Sequence, residues 1–238
     1  MNYAIIAAGE GSRLQQEGVP TPKPLVELNG TPMIKRLIDI FCRCGAEKIS
    51  VIVNQQMTQV QNFLHALKPD IEARGVKFDL VIKSTPSSMH SFYEVSRNFD
   101  GRRFILTTVD TIFREADFKA YAKTFESADP DIDGCMAVTS YIDDEKPLYV
   151  ESDADLNITG FADARPADAR YISGGIYGLD GKALDVLVDC MDKGVSRMRN
   201  FQRALVAAGL RLKAFDMGKI IDVDHQEDIL KAEKFINE

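Results

Sequence analysis

The sequence predicts an α/β fold, a Rossmann-like open, mostly parallel mixed sheet flanked by helices, with a small antiparallel extension. Three observations carry that expectation. Tyr3 to Ala8 is a short, unbroken apolar run, which suits a strand buried on both faces. From there to Phe125, β-branched runs alternate with segments of helical spacing, a β-α-β-α-β-α-β rhythm. After Asp131 the rhythm gives way to short strands separated by polar turns.

The elements follow in order. Thr31-Pro32 predicts a helix N-cap with proline in the first turn. Met33, Ile34, Leu37, Ile38 and Phe41 then form one buried stripe, and Gly45 ends the helix. Ile49 to Val53 is the second strand. Val60, Phe63, Leu64 and Leu67 make a helical face, with Pro69 expected just past its end. Phe78 to Ile82 is the third strand, and Ser87-Ser88 opens a helix carrying Met89, Phe92 and Val95. Phe104 to Val109 is the fourth strand, ended by Asp110, and Phe118, Tyr121, Ala122 and Phe125 mark a further helix. In the second part, Cys135–Ile142, Leu148–Glu151 and Leu156–Phe161 read as strands, and the segment Ile172–Tyr177 follows. Helices through Leu187 and Leu205, a strand from Leu210 to Phe215 and a last helix with Ile229 and Phe235 complete the chain. No repeat or linker divides it, so residues 1–238 are expected to form a single domain.

Composition narrows the function classes. A net charge of −7, spread along the chain, argues against nucleic acid or an anionic membrane as partner. There is no targeting segment, and the apolar N-terminal run is too short to span a bilayer. The four cysteines, Cys42, Cys44, Cys135 and Cys190, form no C-x-x-C pair, which suits reduced thiols and a cytoplasmic location.

In an acidic chain an anionic substrate must be met by local cations, and these stand near the N-terminus. Gly9-Glu10-Gly11-Ser12 follows the first strand, a loop whose backbone N–H groups can approach a phosphate closely. Arg13 comes next, and Lys23 lies between Pro22 and Pro24. A Walker A loop would need Gly-Lys-Ser/Thr, which is absent, and a dinucleotide fingerprint would need glycine where Leu14 stands. Ligands of such sheets lie beyond the carboxyl ends of the strands, where this loop and Asp110 are both expected.

Gly9-x-Gly11-x-Arg13-Leu14 followed by Pro22-Lys23-Pro24-Leu25 resembles the first motif of the sugar-nucleotide pyrophosphorylases, the nucleoside-diphosphate-sugar nucleotidyltransferase family. The resemblance implies the roles of the remaining candidates. It makes residues 1–130 a nucleotide-binding half and residues 131–238 an acceptor-binding half. Ala7, Ala8, Gly9, Gly11 and Ser12 are implied to hold the nucleotide, with Ser87 and Ser88 beside a pyrimidine base. Arg13 would hold the departing β,γ-phosphates, and Lys23 would bridge the acceptor phosphate and the α-phosphate. Asp110 resembles the family's strand-end Mg²⁺ ligand, although Val109 stands where the family has glycine. The second ligand would be Asp222 or Asp224, in a segment that resembles the family's closing Asp-x-x-Thr-Pro-Glu-Asp-Leu element, Asp222 being favoured. Gly174-Gly175 resembles the sugar-side element. Where many members carry Glu-Lys-Pro the chain reads Ala164-Arg165-Pro166, so Arg165 would replace the lysine as a phosphate clamp.

The expected activity joins a nucleoside triphosphate to a small phosphorylated acceptor, a sugar 1-phosphate in the first instance, releasing pyrophosphate, with Mg²⁺ as cofactor. A second reading makes the acceptor phosphocholine or a related phosphoalcohol, with Tyr141, Tyr149, Tyr171 and Tyr177 available for a cationic headgroup. A third, of another class, is a non-catalytic nucleotide-binding regulatory domain. The oligomeric state is left open.

Overall fold

The computed structural model describes residues 1–143 and 145–238. Strand β1 (Asn2–Ala7) is followed by the short helix α1 (Ser12–Gln16) and a tight turn over Lys23–Leu25. The hairpin β2 (Glu27–Leu28) and β3 (Thr31–Pro32) precedes α2 (Met33–Arg43), β4 (Lys48–Val53), α3 (Thr58–Ala73) and β5 (Lys77–Ile82). Then come α4 (Ser88–Ser96), β6 (Phe104–Thr108), β7 (Thr111–Ile112) and α5 (Glu115–Glu126). Strands β8 (Gly134–Thr139), β9 (Tyr149–Ser152), β10 (Ile158–Ala162) and β11 (Tyr171–Leu179) follow. Helices α6 (Gly181–Asp192) and α7 (Met198–Ala207), strands β12 (Leu212–Asp216) and β13 (Ile221–Asp222), and α8 (Gln226–Asn237) end the chain.

Nine strands form one mixed sheet in the order β10-β9-β11-β6-β1-β4-β5, with β8 and β12 attached beside β11. Strands β6, β1, β4 and β5 are parallel, and β11 runs antiparallel to β6. Alternation along β1 builds two cores. Tyr3, Ile5 and Ala7 face the α2, α3, α5 and α8 side, whereas Ala4 and Ile6 face α4, α6 and α7. The chain winds from β1 out to β5 and returns to β6 on the other side of β1. That reversal opens a crevice at the carboxyl ends of β1 and β6.

Two local expectations need correction. Thr31 does not cap α2: Thr31–Pro32 pairs with Glu27–Leu28, Pro32 takes the N-cap position without a side-chain hydrogen bond, and the helix begins at Met33. Helix α3 runs through Pro69 to Ala73, because Ile71 is anchored in the core and tertiary packing outweighs the lost N–H. At the last helix His225 takes the N-cap position and Asp228, at N3, accepts from the His225 and Asp224 N–H groups, so Asp224's own side chain is left for other duty. All four cysteines are free thiols. Among the described residues no helix is long and apolar enough to cross a membrane.

Candidate active site

The crevice is assembled from four loops. The loop after β1 brings Gly9 to Arg13; the turn after it brings Lys23. The end of β6 brings Thr108 and Asp110, and the segment after β13 brings Asp224. Sequence distance does not separate them, because β13 pairs with β7 in a register that sets Asp222 opposite Thr111. The Val223 N–H donates to the Asp110 carbonyl at 3.1 Å and closes the join.

Lys23 lies at the centre, only 8% exposed. Its ammonium contacts the Asp110 carboxylate and lies 2.7 Å from Asp224 Oδ1. Burial alone would lower its pKa, but the two carboxylates outweigh burial and raise it, so the ammonium stays charged. Burial likewise opposes the charge on Asp110, yet Lys23 and a hydrogen bond from Thr108 hold its pKa below the usual carboxylate value. Arg13 Nη1 lies 2.8 Å from Asp224 Oδ2, so Asp224 gathers both cations. Asp222 is different. Although its side chain reaches the open side of the crevice, desolvation by the crevice walls raises its pKa. Repulsion from Asp110 and then Asp224 takes it further, up to about 8. The two carboxylates beside it act on the group at any exposure.

Gly11 has φ 63°, and a Cβ built there would stand 2.8 Å from Lys23 Cβ. The glycine therefore admits Lys23 under the loop. Gly11→Ala is expected to displace the lysine and cost at least tenfold in turnover with a modest loss of stability. Wild-type kinetics in that variant would show that the close approach is dispensable.

Two cavities meet at this cluster. One, of about 730 Å³, is lined by Ala8, Gly9, Gly11, Ser12, Arg13, Lys23, Ser87 and Ser88, with Asn54 and Thr85. The other, of about 380 Å³, is lined by Ser173, Gly175, Tyr177, Arg197, Gln202 and Asp222. Ser88, Thr108, Asp110 and Asp224 line both. A third cavity, also of about 380 Å³, holds Gly174 and Tyr141 and shares Asp222 and Asp224 with the second.

The expected site residues fare unevenly. Ala7 is turned into the core beneath the crevice. Ser87 Oγ is engaged with His90 Nδ1 at 2.8 Å and accepts from the Arg197 N–H at 3.3 Å. Arg165 is exposed on the loop after β10 and lines none of these three cavities; its neighbour Asp163 is held by Arg199 and Arg203. The space at Gly174 and Gly175 is taken by the protein itself. A Cβ there would meet Ile220 Cδ1 at 2.4 Å and Thr111 Oγ1 at 2.8 Å respectively. These glycines press β11 against the segments carrying Asp110 and Asp222. The four tyrosines do not form one cage: Tyr141 and Tyr177 line different cavities, and the Tyr171 hydroxyl donates to Asp216.

Sequence reasoning missed Asn54, Arg197 and Gln202. Asn54 follows β4 directly; it accepts from Ser84 and donates to the Ala8 carbonyl, tying two strand ends. Its place after a parallel strand is a usable signal. Arg197 and Gln202 lie on α7 and its entry, and nothing in their spacing marks them.

Residues 3–156 match the family of MobA-like NTP transferase domains. The chain belongs to that family. A 52-residue stretch is 48% identical to the 2-aminoethylphosphonate cytidylyltransferase of Lancefieldella rimae, covering 22% of this chain and 21% of that protein. Over 163 residues it is 24% identical to the CMP-5'-(3-aminopropyl)phosphonate synthase of Streptomyces rubellomurinus, covering 68% of this chain and 24% of the relative. The chain thus spans about a quarter or less of either curated relative. Among solved structures, a putative glucose-1-phosphate thymidylyltransferase from Bacillus anthracis superposes with a TM-score of 0.82 at 19% identity. That match covers 100% of this chain and 96% of the other, and places the NTP transferase domain in the nucleotide-diphospho-sugar transferase fold.

Among the described residues no three His, Cys, Asp or Glu side chains gather into a preformed metal site. Mg²⁺ needs only one or two carboxylates, the rest coming from water and phosphate oxygens. Asp110 and Asp222 would supply two, and a hard dication between them would relieve their mutual repulsion. The donor set fits.

Proposed function

We propose that the protein transfers a nucleotidyl group from a nucleoside triphosphate to a small acceptor ending in a phosphate or phosphonate, releasing pyrophosphate. The observation that carries this is the meeting of two cavities at Asp110, Asp224, Ser88 and Thr108. One cavity has the glycine loop and cations for a triphosphate, and the other has room for a compact acceptor. The junction is where an α-phosphorus would be attacked in line.

The acceptor oxygen is already an anion, so the chain's task is alignment and charge neutralisation. The Gly9–Ser12 loop would seat the triphosphate and Arg13 would neutralise its leaving end. Lys23, fixed between Asp110 and Asp224, would sit against both the α-phosphate and the incoming oxyanion. Asp110 and Asp222 would hold Mg²⁺, which lowers the repulsion between the two anions when bound. Asp224 is spent on Arg13 and Lys23 and would position them.

A phosphoalcohol or phosphonate acceptor is favoured over a hexose 1-phosphate. The clamp position Arg165 lies outside the cavity linings, and the stretch of 48% identity belongs to a cytidylyltransferase for 2-aminoethylphosphonate. The test is a pyrophosphate-release assay crossing CTP, UTP, GTP and ATP with 2-aminoethylphosphonate, phosphocholine, glucose 1-phosphate and mannose 1-phosphate. CTP with 2-aminoethylphosphonate or phosphocholine is expected to give the fastest release. Release with no pair, alongside tight nucleotide binding, would leave a regulatory nucleotide-binding domain instead.

A further inference from the structure

Arg197 precedes α7 with φ 71° and ψ 139°. That lies beyond the left-handed helical basin, near the region that only glycine visits readily. An arginine in such a conformation is costly unless the side chain is needed there. Its N–H is pinned to Ser87 Oγ, which belongs to the nucleotide side of the crevice. Among the described residues its guanidinium has no carboxylate partner, whereas the neighbouring Arg199 and Arg203 are both tied to Asp163. The same 380 Å³ cavity is lined by Asp110 and Asp222 and by Gln202, which is 2% exposed. Gln202 Oε1 accepts from Ser173 Oγ at 2.9 Å, so the group it offers the cavity is its amide NH₂. Arg197 and Gln202 thus line one small cavity with the carboxylate pair, and a guanidinium with an amide NH₂ is a donor set made for an oxyanion.

We infer that Arg197 is the clamp for the acceptor's phosphorus oxyanion, gripping the oxygens that do not attack, with Gln202 beside it. This rests on the nucleotidyl-transfer reading above. It gives Ser87 a positioning role, holding the strained backbone that presents the guanidinium.

Arg197→Gly tests it, because glycine accepts φ 71° and relieves the strain while removing the side chain. Calorimetry would titrate 2-aminoethylphosphonate, phosphocholine and glucose 1-phosphate into protein holding Mg²⁺ and a non-hydrolysable CTP analogue. At least one is expected to bind the wild type and to bind Arg197→Gly at least tenfold more weakly. The affinity of the CTP analogue should stay within twofold and the thermal midpoint should not fall. Arg197→Lys should recover only part of the acceptor affinity, since an ammonium lacks the planar fork. Equal acceptor affinity in wild type and Arg197→Gly, a parallel loss of nucleotide affinity, or no binding of any probe to the wild type would overturn the assignment. Failure of the reading beneath it looks different: the wild type then releases no pyrophosphate even where acceptor binding is seen.

Discussion

Lys23→Ala is expected to lower turnover by roughly 10²–10³-fold, the usual loss when one preorganised donor to transition-state charge is removed. The same change also costs stability. Lys23 is buried against Asp110 and reaches Asp224, and without it Asp110, Asp222 and Asp224 are left with Arg13 as the nearby cation. Deleting one partner of a fully buried pair costs about 3–5 kcal/mol; with Asp224 half open to solvent, a loss of about 2 kcal/mol is expected. Thermal or urea unfolding and steady-state kinetics on one preparation check both halves. Near-normal turnover would remove Lys23 from the reaction, and an unchanged unfolding midpoint would show that the carboxylates do not depend on it.

Asp110→Asn is the second large effect. The amide is nearly isosteric, so the fold should persist, but one formal charge and one hard oxygen ligand are lost. Turnover at millimolar Mg²⁺ should collapse by at least 10²-fold, and nucleotide affinity should become much less dependent on Mg²⁺. The geometry separates the two later aspartates. Asp222 faces Asp110 across repelling charge, so Asp222→Asn should copy the Asp110→Asn loss of Mg²⁺ dependence. Asp224 binds Arg13 and Lys23, so Asp224→Asn should loosen those cations, weakening triphosphate binding with or without Mg²⁺. Calorimetric titrations of a triphosphate at several Mg²⁺ concentrations decide it. Asp224→Asn abolishing the Mg²⁺ dependence while Asp222→Asn preserves it would reverse the two roles.

The sequence by itself determined the parallel half of the fold and picked out the loop that carries the candidate phosphate-binding cations. Apolar runs the length of a strand, helical stripes and glycines are local signals, and each is readable wherever its cause lies within a few residues. Gly9, Gly11, Arg13 and Lys23 are of that kind, because one loop and its continuation carry them all. Local signals also misled, since Thr31-Pro32 and Pro69 have capping and breaking chemistry that packing overrides. Only the tertiary structure distinguishes the surroundings of the two later aspartates. Asp222 and Asp224 are two residues apart on one segment; pairing of β13 with β7 sets Asp222 opposite Thr111, while Asp224 binds Lys23 and Arg13. It also replaced Arg165 by Arg197 as the candidate acceptor clamp. A side chain on the entry to α7 meets the ends of β1 and β6 only after the sheet is wound, and no spacing along the chain encodes that meeting.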